Sequence, residues 1–491
     1  MKINKKYYLS ALVSLISVTS CNKYLDETPD NRTEINSVEK VAQLVATAYP
    51  TADYLYFTES ASDNAEDKGN GVGGLSDVLT RPYFWQDVIG TNTGTPASYW
   101  NGCYEAIAAA NQALASIEQY RIGAEVNPYK GEALICRAYA HFMLVTFFSK
   151  AYQIGGANSS PGVPYVTEPE TEVIKHYERG TVASTYEKIE KDLQDGLKLI
   201  NASAYQVPKY HFTPAAANAF AARFYLFKGE WQKVVDFASG TVSGGDFTGN
   251  IRPINTTLNA LGAEEFKAAF TRSDQKSNLL LANQYSSYQR EANTPRYGYG
   301  QKLVTMFSKD YNYTKSKDMA NKILFYGVPN YTTYKYNEYF FRTSPNASTG
   351  FPYIMSILFS TDEALLNRAE AYTELGQYDN AMRDMATMYS NLLPNYNPQN
   401  DAPTLQKIKD YYQINDDKQV LIQFILDTKK AQFLQEGMRW MDILRHRITV
   451  RHNVYNEKGA ESFIELTPDD NRRLFQIPQE TKLSGIELNP R

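Results

Sequence analysis

The stretch NRAEAYTELGQYDNAMRDMATMY, residues 367–389, decides the fold: Ala369, Tyr372, Gly376, Tyr378 and Ala381 follow one another at intervals of three, four, two and three. Residues three apart share a helix face, Gly376 supplies the left-handed conformation that ends a first helix, and small Ala381 lets a second helix approach closely. The same intervals recur upstream in AAANAFAARFYLFKGEWQKVVDFA, residues 215–238, at Ala222, Tyr225, Gly229, Trp231 and Val234. Two matches in register predict tetratricopeptide-like helical hairpins, and with them a mostly α protein whose core grows by stacking. Such a scaffold catalyses nothing by itself, so function is sought on the segments that interrupt it.

Before the first hairpin, an amphipathic helix is expected from about Ser37 to Tyr49, and an antiparallel helix pair in SYWNGCYEAIAAANQALASIEQY and NPYKGEALICRAYAHFMLVTFFSKAY. In the second of these, Asn127 reads as the cap and Pro128 as part of the first turn. A further helix runs from about Thr181 to Ile200, and Thr213 with Pro214 starts the first hairpin. Two stretches break the pattern. Residues 58–95 are acidic and Gly-rich and end in RPYFWQD; residues 241–353 hold the apolar run LLLANQY and the Tyr-rich YNYTKSKD and YGVPNYTTYKYNEYFF. The long insertion is expected to project as an irregular subdomain, after which Ser360 and Glu363 form a capping box that restarts the helices. A helix from about Lys418 to Gly437, the short RWMDILRHR and an extended tail complete the chain. The organisation is a leader at 1–20, an N-terminal helical scaffold with ligand loops at 21–240, the insertion at 241–353 and a C-terminal scaffold with its tail at 354–491.

The leader, MKINKKYYLSALVSLISVTSC, has Lys2, Lys5 and Lys6, an apolar run from Tyr7 to Val18 and small residues before Cys21. It reads as a secretion signal too short to span a bilayer as a stable anchor. A Cys placed directly after the small residues resembles the lipobox of bacterial lipoproteins, in which the thiol is lipidated. Without the leader the chain carries 47 basic against 54 acidic residues, which argues against nucleic acid as a partner. Cys103 and Cys136 then remain, both in helical stretches, and are expected as two buried thiols, with a disulfide left open. The 38 Tyr exceed 23 Phe and 4 Trp, an excess that suits surfaces with a flat apolar face and a polar rim.

In order, CNKYLDETP, the Trp100 to Asn111 block, GEALICRAYAHFMLVTFFSKAY, GVPYVTE, RGTVASTYEKIEKDL, the two hairpins, QEGMRWMDILRHR and the IPQE and LNP tail resemble the SusD/RagB family of nutrient-binding outer-membrane lipoproteins. The resemblance implies a SusD-like helical fold, anchored by lipid on the outside of the outer membrane. It also implies a SusC-like, TonB-dependent transporter as partner, to which captured oligosaccharide, or peptide in some branches, is handed. Phe433 where the family usually has Glu, Met319 after Asp318, and a tail ending at Arg491 depart from the pattern; Asn22 and Lys23 are not the acidic run that often accompanies surface export.

No HExxH, CxxC or GxSxG occurs, and His446 and His452, six apart, are poorly spaced for joint ligation. Gly69 to Gly74 lacks the strand and the GK[ST] of a phosphate cradle. Asp26, Glu27 and Asp30 could catch calcium; otherwise no cofactor is expected. Binding without turnover is the leading reading, with a hydrolase, which needs two carboxyls of separated pKa, as the alternative class. Sugars offer C–H faces to aromatic rings and hydroxyls to polar groups. The expected site therefore combines Tyr83, Trp85 and Trp100, from the first loop and the helix start after it, with Tyr288, Tyr297 and Tyr299 from the insertion. Asp63, Arg81, Asn101 and Arg296 are the expected polar partners. Gly298 and Gly300, flanking Tyr299, argue for exposure there.

Overall fold

The computed structural model describes residues 34–172 and 174–491. The leader, Cys21, and the acidic Asp26, Glu27 and Asp30 lie outside the described residues. Ser37 caps α1 (Val38–Val45) by accepting a hydrogen bond from the Lys40 amide, and the helix ends at its C-cap Ala46, before the expected Tyr49. After α2 (Leu55–Ala61), strand β1 (Glu66–Asp67) and α3 (Asp77–Tyr83) come the long α4 (Pro96–Gln119) and α5 (Asn127–Phe148), which pack together. Asn127 is the first helical residue of α5 and does not cap it; a 3-10 turn at Ala124–Val126 leads in instead. Thr181 caps α6 (Val182–Leu197) in a reciprocal pair with Ser184, and α6 packs on α5.

The two hairpins form as the spacing requires. In α7 (Pro214–Lys228) and α8 (Trp231–Ser239) the turn residue Gly229 has φ 73°, and Glu230 N–H closes the helix end on Tyr225 O at 3.1 Å. A side chain at Gly229 would also collide with Ile154, at 2.7 Å.

The middle of the chain does not project. Its α9 (Ala263–Phe270) is followed by β2 (Asn278–Tyr285), whose Leu279, Leu280 and Leu281 are buried in the same core as α5 and α7. An apolar run of this length has no solvent-facing side, so it packs against the helices. The short α10 (Tyr288–Glu291), β3 (Tyr297–Gly298), α11 (Gln301–Phe307), β4 (Ile323–Phe325) and β5 (Tyr331–Thr333) follow. Then β6 (Glu338–Arg342) and β7 (Gly350–Ser360) complete an antiparallel sheet of order β2-β7-β6, with Leu281 opposite Ile357 and Tyr285 opposite Tyr353.

Strand β7 runs directly into α12 (Thr361–Glu374), which pairs with α13 (Tyr378–Leu392) across Gly376 at φ 72°. Ser360 Oγ accepts the Glu363 amide at 3.2 Å, but the Glu363 carboxylate turns to Arg223, so the expected capping box is a single N-cap. The remaining elements are α14 (Pro398–Asp401), α15 (Leu405–Tyr412), α16 (Asp417–Gln432), α17 (Met438–Arg445), and the hairpin of β8 (Val450–Tyr455) with β9 (Glu461–Leu466). The tail is not extended throughout, since Gln479–Ser484 forms a 3-10 turn; it runs back over α5, with Phe475 N–H on Phe147 O at 3.0 Å. Cys103 and Cys136 are buried free thiols.

Candidate functional site

The aromatic residues singled out in the sequence lie in the interior. Tyr83 is fully buried and donates to Asn453 O at 2.7 Å, while Trp85, with φ 53°, donates its indole N–H to Ala61 O at 3.0 Å. Between them His452 is sandwiched, with ring centroids 4.1 Å from Tyr83 and 4.7 Å from Trp85. Burial lowers the His452 pKa to about 4, and its ring nitrogens face the carbonyls of Tyr83 and Ser62. That histidine staples loops together. Tyr297 stands 4.7 Å from Tyr83, and Arg296 lies over the Tyr297 ring while holding Asp67 through two hydrogen bonds of 2.8 and 2.9 Å.

Tyr288 and Tyr299 share a hydroxyl contact of 2.5 Å, and Tyr299 donates to Glu59 at 2.9 Å. Burial raises the pKa of Glu59 and of both tyrosines. The exposure inferred from the neighbouring glycines is not found: Tyr297 is 7% and Tyr299 3% exposed. A Cβ at Gly298 would sit 2.8 Å from Pro295 and one at Gly300 2.6 Å from Glu66, so these glycines admit close packing instead. Trp100 is buried against Tyr104 and Phe148, beside a cavity of about 180 Å³ that Asn111 also lines; Asn101 is exposed on the same helix. Arg81 bridges Asp77 and the carbonyl of Asp87.

Asp63 alone of the expected residues reaches an open aromatic cleft, of about 460 Å³. Its floor is built from three elements. Tyr313 packs on Tyr389 at 4.9 Å and on Phe424 at 5.4 Å, and its hydroxyl is tied to Asp401 O. Above that floor stand the outer rings. Helix α15, capped by Thr404 and pinned by buried Ile408, ends at Gln413 in the left-handed region, which leaves Tyr411 and Tyr412 on its last turn. Those two rings cross at 87° with centroids 4.7 Å apart, and Tyr412 is fixed by a 2.9 Å hydrogen bond to Asp427. Tyr311 is 59% exposed, and Met306 adds a soft apolar contact.

The rim is polar: Gln301, Lys302 and Thr305 on one side, Asp427 and Lys430 on the other. Burial alone would raise the Asp63 carboxyl, but Lys430 and Arg439, 2.8 Å away on either oxygen, hold it well below the usual carboxylate range. Glu66, on the same wall, is raised by burial and accepts the Lys302 amide at 2.8 Å. Two carboxyls of separated pKa thus line the cleft, the condition set for a hydrolase. Both Asp63 oxygens are held by cations, Oδ1 by Arg439 and Oδ2 by Arg439 and Lys430, so this carboxylate ties the loop to α16 and α17. Rings with exposed faces beside fixed hydrogen-bonding groups are instead the arrangement that stacks a sugar. The sequence signals for this cleft are YNY at 311–313, noted above only as part of a Tyr-rich stretch, and DYY at 410–412, which was not singled out.

Among the described residues no group of three or more His, Cys, Asp or Glu side chains could hold a metal, and no helix is long and apolar enough to cross a membrane.

Residues 23–226 match a family model, SusD-like_3, described as starch-binding associating with outer membrane. SusD-like protein P38 of Formosa agariphila is 24% identical over 515 aligned positions, which cover 88% of this chain and 90% of that protein. Among solved structures, a SusD-like carbohydrate binding protein from Bacteroides vulgatus superimposes with a TM-score of 0.64 at 16% identity, covering 91% of this chain and 96% of that one. A laminarin-binding SusD-like protein gives 0.60 at 15% identity, covering 92% and 98%. At these identities the structural matches speak for the fold.

Proposed function

We propose that this chain, which is similar to SusD-like proteins in sequence and fold, is a member of the SusD/RagB family and a glycan-binding outer-membrane protein that captures oligosaccharide in the tyrosine cleft without turning it over. The observation that carries this reading is the half-open set of Tyr311, Tyr411 and Tyr412 over a rigid aromatic floor, rimmed by hydrogen-bonding groups. Rings already locked by neighbours lose little freedom on binding, so stacking is gained at low entropic cost. Laminarin and starch oligosaccharides are the first probes to titrate. Tyr311→Ala and Tyr411→Ala should each weaken binding by roughly 1 kcal/mol, several-fold or more, with the melting curve nearly unchanged. Equal losses of stability and affinity would assign the rings to the core, and unchanged affinity in both variants would move the site elsewhere. The same incubations should release no new reducing ends; release that disappears in Glu66→Gln would convert the cleft into a hydrolase site.

We further propose that Cys21 carries lipid and that the protein works as the lid of a SusC-like, TonB-dependent transporter on the cell exterior. Among the described residues no helix is long and apolar enough to cross a membrane, and a single lipid anchor moves nothing across a bilayer, so capture would be coupled to a separate channel. Changing Cys21 to Ala should release the protein from membranes, and gentle extraction of the unaltered protein should co-purify a large β-barrel. Membrane association that persists in the Ala variant would refute the lipid anchor, and recovery of the lipoprotein alone in several detergents would refute a stable complex.

A further inference from the structure

The sheet of order β2-β7-β6 ends in an edge strand, β6, whose sequence EYFFR leaves large apolar groups in solvent on both faces. Tyr339 is 50%, Phe340 51% and Phe341 65% exposed. Edge strands are ordinarily blunted by proline, lysine, a bulge or a covering segment, because their free backbone groups pair with other chains. Strand β6 has no proline or lysine, its register against β7 runs without a bulge, and no strand lies beyond it among the described residues.

The direction of the free groups follows from Pro352, which stands opposite Phe340. Pro352 has no N–H to donate, and its carbonyl accepts Ser286 N–H at 3.0 Å from just past β2, so its backbone faces β2. Phe351 and Tyr353 on either side face the other way and bond Phe341 and Tyr339 opposite them. Such pairs alternate along an antiparallel ladder, so Glu338, Phe340 and Arg342 turn their N–H and C=O groups to the open edge.

This edge is complementary to itself. Laid antiparallel on a second copy with Phe340 on the partner's Phe340, it sets Glu338 opposite the partner's Arg342 at each end and Tyr339 opposite the partner's Phe341 between them. Every outward N–H then meets an outward C=O, and the aromatic and opposite-charge pairs are of the kinds that stabilise a ladder. A shift by one residue sets inward-facing groups against outward ones, and a shift by two loses both ion pairs and puts a ring opposite a charge. Both charges are available: Arg342 is exposed with no ion pair among the described residues, and Glu338 meets the exposed Arg290 with one oxygen only, at 3.3 Å. A glycan or a bilayer would cover the rings but would match neither the backbone groups nor the two opposite charges.

We infer that β6 is a self-association edge: two copies of this chain join β6 to β6 antiparallel about a two-fold axis at Phe340, which merges their sheets into one. Five residues a side make a small interface, so the dimer is weak, with a Kd of roughly 1–100 μM. The test is sedimentation equilibrium of the Cys21→Ala chain across that range, where a concentration-dependent monomer–dimer equilibrium is expected. Glu338→Arg and Arg342→Glu each set like charges opposite one another at both ends of the pairing, and each should weaken self-association at least about tenfold. Mixed one to one, the two variants set Arg opposite Glu at both ends again and should form a heterodimer about as tight as the unaltered pair. A chain monomeric throughout, single variants that dimerise as before, or a mixture that stays monomeric would each overturn the inference. A monomer whose Phe340→Lys variant no longer co-purifies the β-barrel would also overturn it, and would assign the edge to a strand of that protein.

Discussion

Replacing Glu370 with alanine is expected to lower the stability of the protein by about 3–5 kcal/mol, among the largest effects of any single substitution in this scaffold. Glu370 is fully buried on α12 and receives Lys429 Nζ at 2.5 Å from α16, Arg445 at 2.9 Å from α17 and His446 Nε2 at 2.9 Å just beyond it. Without the carboxylate, buried Lys429 loses its ion-pair partner and Arg445 beside it keeps only Asp442, at 3.0 Å. Burial alone would raise the Glu370 pKa, but Arg445, Lys429 and His446 outweigh it and hold the carboxyl well below its ordinary value. A folded-state pKa below the unfolded one means that the contribution is complete above the unfolded carboxylate range, near pH 4.3, and is lost as pH falls toward the depressed value. Melting temperature measured against pH should therefore fall more steeply on the acid side for the unaltered protein than for Glu370→Gln. Parallel curves would show that the site does not couple to acid stability.

Glu363→Ala should be comparably damaging, by about 3–5 kcal/mol in chemical denaturation. Its two oxygens accept Arg223 Nε and Nη2, each at 2.6 Å; the side chains are 6% and 2% exposed, and the guanidinium also lies 4.0 Å over Phe359. This pair ties the first hairpin to the second, α7 to α12, so its loss should loosen both together. Replacing both partners with apolar residues, Arg223→Met with Glu363→Leu, removes the desolvated charges and should recover most of the loss. A double variant as unstable as the sum of the single ones would mean that packing, and not the unpaired charge, was the cost.

How much of this was legible in advance depends on the range over which each feature is decided. The hairpins were readable because helix faces, a left-handed turn and a small residue at the crossing are set by neighbours three to four positions away, and Gly229 and Gly376 both take the φ this demands. Helix starts at Ser37, Thr181, Thr213 and Ser360 were readable for the same reason, since a cap acts within one turn. Exposure is not local. Tyr297 and Tyr299 beside glycines read as surface residues, yet the glycines make room for Pro295 and Glu66 and bring the rings inside. Glu363 was expected to fold back on its own helix end, but a buried arginine from another hairpin offers a carboxylate more than a neutral backbone amide can. The sequence by itself determined the helical-hairpin scaffold, because that rests on periodicity. Only the tertiary structure decided which tyrosines form a cleft, because Tyr311, Tyr389 and Tyr411 come from segments distant in the chain that meet only when the core has packed.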